Sequence, residues 1–183
     1  MTEVYQTARL IGFNPRGDRQ KDDYYATPAP TTQALLRVEK FIGHIWEPCC
    51  GEGHISEVLI DAGYDVSSSD LVYRGYGQGG VDALFSYTAE SNIITNPPYK
   101  NALEFAEIFT DHAQKVALLL KLNFLEGVKR QEFFFRKPPV RVHVFSRRQS
   151  LMKNGADYSG GMMALAWFVW EDGNTKPPQI RWL

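Results

Sequence analysis

Apolar residues along the chain fall into two spacings, short continuous runs and stretches in which they recur every three or four positions, and the two alternate. Pro28 and Pro30 fix an extended entry, Thr31 or Thr32 is placed to cap a helix, and Leu35, Leu36, Val38, Phe41 and Ile42 carry that helix to a stop at Gly43. "HIWEP" follows as a short strand. "CCGEGHISEVLIDAGYDVSSSD" then reads as a glycine loop, a helix through Ala62, a terminator at Gly63 and a second strand ending at Asp70. "LVYRGYGQGG" is a glycine-rich loop and "VDALF" a short third strand. "SNIIT" is the fourth strand, "NALEFAEIFTDHA" a helix, and "KVALLLKL" a fifth strand that is apolar on both faces. Continuous apolar strands separated by helices predict an α/β protein with a parallel sheet covered on both sides. "PVRVHVF" and "MMALAWFVW" predict an antiparallel pair at the carboxyl end. Residues 1–22 lack a sustained period and form a lead-in segment, and 23–183 is expected to be a single domain.

Composition narrows the class without changing this outline. Hydrophobic residues are 44% and charged residues 22%, which excludes disordered and fibrous chains. The amino terminus lacks a signal-peptide layout and no apolar run is long enough to span a bilayer, so a cytoplasmic protein is expected. Cys49 and Cys50 are the only cysteines and adjacent, which suits two small buried side chains better than a disulfide or a zinc site. Net charge is −1, yet Gly127 to Gly155 holds eight basic residues against Glu132 alone, a local charge of about +7. The basic charge is segregated.

Candidate chemistry gathers where strands end, because ligands of an open α/β sheet bind at the carboxyl ends of its strands. "EPCCGEG" places Gly51 and Gly53 in a tight turn before a helix, and Asp70 follows Gly51 by 19 positions, the offset at which an acid meets ribose hydroxyls. The turn lacks the third glycine of the dinucleotide fingerprint. "SNIITNPPYK" ends a strand on Asn96, Pro97, Pro98 and Tyr99. Proline cannot donate to a sheet ladder, so the two prolines hold a rigid turn whose carbonyls point outward. Beside them the Asn96 amide adds an acceptor and Tyr99 a flat face. Read alone, these four residues are a strand-ending turn; together with the glycine turn and Asp70 they describe a site for a nucleoside-type cofactor and a planar amine.

"EPCCGEG" followed by "TNPPY" resembles the class I S-adenosylmethionine-dependent methyltransferases of the amino-methylating group, best known as DNA adenine-N6 methyltransferases. "DDYYATP" is similar to their extra amino-terminal motif, and "DLVYRGYG", "ALLLKLNFLEG", "PPVRVHVFSRRQS" and "AWFVWEDG" resemble small methyltransferases encoded by phages and prophages. The resemblance spans roughly residues 23 to 183. It implies a three-layer Rossmann-like fold with a mostly parallel seven-stranded sheet and an antiparallel carboxyl-terminal strand, without a separate target-recognition domain.

Residue roles follow from the resemblance. Cys49, Gly51 and Gly53 would pass beside the methionine part of S-adenosylmethionine, with Glu47 opening the motif and Tyr25 and Thr27 helping at the carboxylate end. Asp70 would hold the ribose, Asp82 the adenine amine, and Phe85 would neighbour that ring. Asn96 and the Pro97 carbonyl would accept hydrogen bonds from the target amine and Tyr99 would stack on the target base, with no metal and no covalent intermediate. Lys129, Arg130, Arg147 and Arg148 of the basic tract would contact DNA, whereas Arg141 and His143 are equally readable as the solvated side of a strand. The same motif serves methylation of adenine N6 or guanine N2 in RNA and of glutamine in proteins, and a degenerate cofactor-binding module is the non-enzymatic alternative. Sequence readout falls to two short loops, Tyr73 to Gly80 and Arg147 to Gly161, so low sequence specificity is expected.

Overall fold

The computed structural model describes residues 24–86, 90–149, 151–153, 156–157 and 163–183. The lead-in 1–22 lies outside them, as does much of the loop from Arg147 to Gly161. In chain order the elements are α1 (Ala29–Val38), β1 (Ile45–Glu47), α2 (His54–Asp61), β2 (Val66–Asp70), β3 (Gln78–Gly79) and β4 (Glu90–Thr95). A 3-10 turn, Tyr99–Asn101, leads into α3 (Ala102–His112) and β5 (Ala113–Lys121). A second 3-10 turn, Leu122–Leu125, precedes α4 (Val128–Arg136), β6 (Arg141–Val144), β7 (Met152–Lys153), β8 (Ala156–Asp157), β9 (Leu165–Glu171) and β10 (Gln179–Trp182).

One mixed sheet of eight strands runs in the order β10-β6-β9-β5-β4-β1-β2-β3, and β7 and β8 pair separately. All neighbours in the large sheet are parallel except β9, which lies antiparallel between β5 and β6. The expected seven strands are therefore eight, because β10 adds a parallel edge beside β6. Its Gln-Ile-Arg-Trp alternation is only four residues long, is exposed throughout and directly follows Pro177 and Pro178, so the pattern is too brief to mark a strand in the sequence.

The all-apolar strands build the core on both faces. Along β5, Val116, Leu118 and Leu120 face one buried cluster that includes Phe105 and Phe109 of α3 and Phe133 of α4. Ala117 and Leu119 face another that includes Leu35 of α1 and Ile55 and Leu59 of α2. Alternation along β9 divides the same way, Phe168 and Trp170 to the first cluster and Trp167 and Val169 to the second. The indole N–H groups still find partners: Trp167 donates to the Thr31 carbonyl at 3.0 Å and Trp170 to the Lys137 carbonyl at 3.0 Å.

Several boundaries differ from expectation. Helix α1 starts at Ala29 directly after Pro28, since a proline-rich first turn needs no side-chain cap, and Thr31 and Thr32 are buried within it. It stops at Val38 instead of Gly43, leaving Ile42 88% exposed. The reason is Glu39, which leaves the helix in extended backbone and carries its carboxylate to Lys115 (2.7 Å), Arg141 and His143 (2.7 Å). Arg141 and His143 thus do not form a solvated strand side: His143 is fully buried and Arg141 joins Glu39 to Glu171. "VDALF" is a turn rather than a strand, because the Asp82 carboxylate accepts from the Leu84 N–H at 3.0 Å and its carbonyl from the N–H groups of Phe85 and Ser86. Gln78–Gly79 supplies the third strand instead, paired with Ser69 and Asp70. Helix α4 lies within the basic tract and was masked there by charge, with Phe133 as its buried anchor. Among the described residues no helix is long and apolar enough to cross a membrane.

Candidate active site

Strand order reverses at β1, with β2 on one side and β4 on the other, and a cleft of about 300 Å³ opens beyond the carboxyl ends of these strands. Pro48 and Cys49 line it from the end of β1, Asp70 from β2, Asp82 from the following turn, and Asn96 and Pro98 from β4. Leu71, Val81, Leu84 and Phe105 supply apolar walls. The sequence-derived residues Cys49, Asp70, Asp82, Asn96 and Pro98 thus meet in one crevice.

Asn96 is fixed in orientation. Its Nδ2 donates both hydrogens, to the Tyr25 carbonyl at 3.1 Å and to the Thr27 Oγ1 at 3.0 Å. Among the described residues Oδ1 receives no hydrogen bond, so the acceptor end of the amide is the end left for a ligand. Tyr25 and Thr27 therefore act on the site through Asn96. Pro97 is buried and Tyr99 half-buried beside it. The Tyr99 ring lies nearly parallel to that of Tyr25, with centroids 6.4 Å apart and planes at 19°, and outside the cleft lining.

Asp70 is 8% exposed and organises the other side. Its Oδ2 accepts from the Gly51 N–H at 2.9 Å, and its Oδ1 from the Val72 N–H at 2.9 Å and Arg74 Nη1 at 3.1 Å. Arg74 lines the cleft and lies 4.5 Å from the centre of the Tyr24 ring. Neither Arg74 nor Tyr24 was singled out in the sequence; Arg74 follows Asp70 by four residues, but in a loop, where that spacing is not the helix-face pairing that would mark it.

Gly51 and Gly53 adopt positive φ, 55° and 88°. A Cβ on Gly51 would stand 2.1 Å from the Tyr24 ring and one on Gly53 2.5 Å from the Tyr76 ring. The glycines thus admit two tyrosines from distant segments as well as shaping the turn, and the Tyr73 to Gly80 loop is held to that turn by Tyr76.

Glu47 is not in the cleft. It is buried behind the turn, where it accepts from the Ser56 N–H at 2.8 Å and from the Ser56 hydroxyl. Burial pushes its carboxyl up to about 8, the Ser56 hydrogen bonds oppose that rise, and the Asp70 charge adds to it. Burial also raises the thiol of Cys49 well above its usual range and that of Cys50 to about 12, so both stay protonated at neutral pH. Phe85 is 82% exposed and is not brought to the cleft. Among the described residues no group of three His, Cys, Asp or Glu is placed to hold a metal ion.

The basic tract divides. Arg136 pairs with Glu107 at 3.3 Å, Lys137 with Asp111, and Arg141 with Glu39 and Glu171. Lys129, Arg147 and Arg148 are exposed, and the Arg130 guanidinium lies 5.2 Å from the centre of the Phe124 ring.

No family model matches the chain, and no curated protein matches it in sequence. Solved structures do match it in fold. A candidate RNA methyltransferase, PH1948, from Pyrococcus horikoshii superposes with a TM-score of 0.61 at 12% identity, over 84% of this chain and 91% of that one. The modification subunit of a candidate type I restriction enzyme from Vibrio vulnificus gives 0.59 at 12% identity over 96% of this chain, which spans 49% of that subunit. A dimethyladenosine transferase from Plasmodium falciparum gives 0.55 at 14% identity, over 81% of this chain and 62% of that one. The mixed eight-stranded sheet is thus the Rossmann-like fold shared by these proteins.

Proposed function

We propose that this chain is an S-adenosylmethionine-dependent N-methyltransferase acting on an exocyclic amine, the N6 of adenine in DNA, with low sequence specificity. The observation that carries the reading is the Asn96 amide, whose hydrogens are committed to Tyr25 and Thr27 so that an acceptor is presented in the cleft. An aromatic amine is a poor nucleophile because its lone pair is delocalised into the ring. Acceptors on its two hydrogens, Asn96 Oδ1 and the Pro97 carbonyl, favour the pyramidal nitrogen that frees the lone pair.

The cleft fits a nucleoside cofactor: two carboxylates, Asp70 and Asp82, stand among apolar walls, as a ribose diol, an amine and a flat ring require. Asp70 would hold the ribose and Asp82 the adenine amine, while the Cys49 side of the turn borders the remainder. S-adenosylmethionine, when bound, supplies a methyl group activated by a sulfonium. The protein's share is orientation and electrostatics. In a duplex the base is flipped out and Tyr99 replaces its lost stacking. RNA is the second reading, favoured by the RNA-methyltransferase names among the structural relatives.

Labelled S-adenosylmethionine offered with duplex DNA, single-stranded DNA, RNA and protein extract tests the proposal. Label is expected in DNA as N6-methyladenine; label confined to protein would overturn it. Asn96→Ala is expected to lower kcat about 10²- to 10³-fold while cofactor affinity holds.

A further inference from the structure

Several cations are paired with carboxylates: Arg74, Lys115, Arg136, Lys137 and Arg141 each have such a partner. Lys121 is different. It is the last residue of β5, exposed, and has no carboxylate partner among the described residues. Its Nζ instead lies 4.9 Å from the centre of the Tyr99 ring. Because β5 pairs with β4 in parallel, Thr95 opposite Leu118, the end of β5 stands beside the Asn96–Tyr99 turn. Arg130, on α4 just beyond, likewise lies over a ring, that of Phe124.

A cation over an aromatic face is held weakly and is exchangeable for a phosphate, with which it forms a stronger charge-assisted bond. While it stays there it also occupies a face on which a planar base could stack. We propose that Lys121 is a substrate-positioning residue: it leaves the Tyr99 ring for a backbone phosphate flanking the target nucleotide, and the target base takes its place on the ring. Phosphate capture and base stacking are then one exchange at one side chain. The inference rests on the proposed DNA methyltransferase activity and adds to it a residue outside the strand-ending turn.

The test compares wild type, Lys121→Met, Lys121→Arg and, as a charge-matched control remote from the cleft, Lys40→Ala. Steady-state methylation of a random-sequence duplex DNA pool is measured at several salt concentrations, and S-adenosylmethionine affinity by calorimetry. Lys121→Met is expected to raise KM for DNA about 10-fold and to make the log–log salt dependence shallower by about one, with cofactor affinity unchanged. Lys121→Arg should keep the wild-type slope, and Lys40→Ala should match wild type throughout. A Lys121→Met enzyme with wild-type KM and slope overturns the inference while leaving the methyltransferase reading intact. A wild-type protein that methylates no DNA overturns both.

Discussion

A half-turn of the Asn96 amide about its last bond would present N–H groups to an incoming amine where an acceptor is needed. Thr27 and the Tyr25 carbonyl hold the amide against that turn and so set its polarity. Thr27→Val keeps the shape and removes the acceptor, and it is expected to lower kcat about 10-fold with cofactor affinity retained, as measured by single-turnover methylation. Glu47 sets a different residue-scale outcome. Its carboxyl is pushed up to about 8 by burial, so the folded state binds a proton that the unfolded state has lost above about pH 4.3. Stability therefore falls as pH rises from that point through 8. Glu47→Gln, which mimics the protonated form, should flatten the decline in urea midpoints between pH 5 and 8. Asn96 and Asp70 were legible in the sequence because strand ends and spacing expose them. Tyr24 and the true position of Glu47 were not, since packing across separate segments leaves no periodic trace.

The elements most legible in sequence were those with one strong local pattern. Strands β4 and β5 and helix α3 stand within a residue or two of expectation, because their apolar runs and helical spacing have no competing alternative. Helix α1 shows how a tertiary contact overrides pattern. Leu35, Val38 and Ile42 share a helical period, yet Glu39 breaks it to reach Lys115, Arg141 and His143 under the sheet. Burial alone would raise the Glu39 carboxyl, but hydrogen bonds from His143, Arg141 and Lys115 hold it well below the usual range. Its folded state is then the less protonated, and the stability it contributes is present above about pH 4.3 and lost as pH falls below. Glu39→Gln leaves Lys115 and Arg141 with Glu171 as their remaining carboxylate and weakens the charge-assisted hydrogen bonds that Glu39 makes to them and to buried His143, and it is expected to destabilise by about 1.5–3 kcal/mol at pH 7. The difference from wild type should shrink in acid, as read from urea midpoints at pH 7 and pH 3.

For the molecule as a whole, local charge did not map onto a single surface. The tract that reads as one basic patch is divided by the fold: Arg136, Lys137 and Arg141 are spent on acids of the protein, while Lys129, Arg147 and Arg148 remain on the outside. A linear count of charge cannot foresee this, because Glu39, Glu107 and Asp111 lie well upstream in the chain.

The place of β9 has a consequence for the order in which the molecule can be made. Leu165–Glu171 is the wedge between β5 and β6, so during synthesis those two strands emerge with a gap between them that only later residues fill. The nascent chain must carry Leu118, Leu119 and Leu120 on an unpaired edge until that wedge arrives. Such long-range closure is slow and leaves the waiting chain open to wrong partners. A version ending at Ser150 should bind the dye ANS strongly and aggregate on dilution from urea, whereas the full chain should do neither once refolded. A cell making this protein would thus depend on holding the unfinished sheet apart from its neighbours until the wedge is in place.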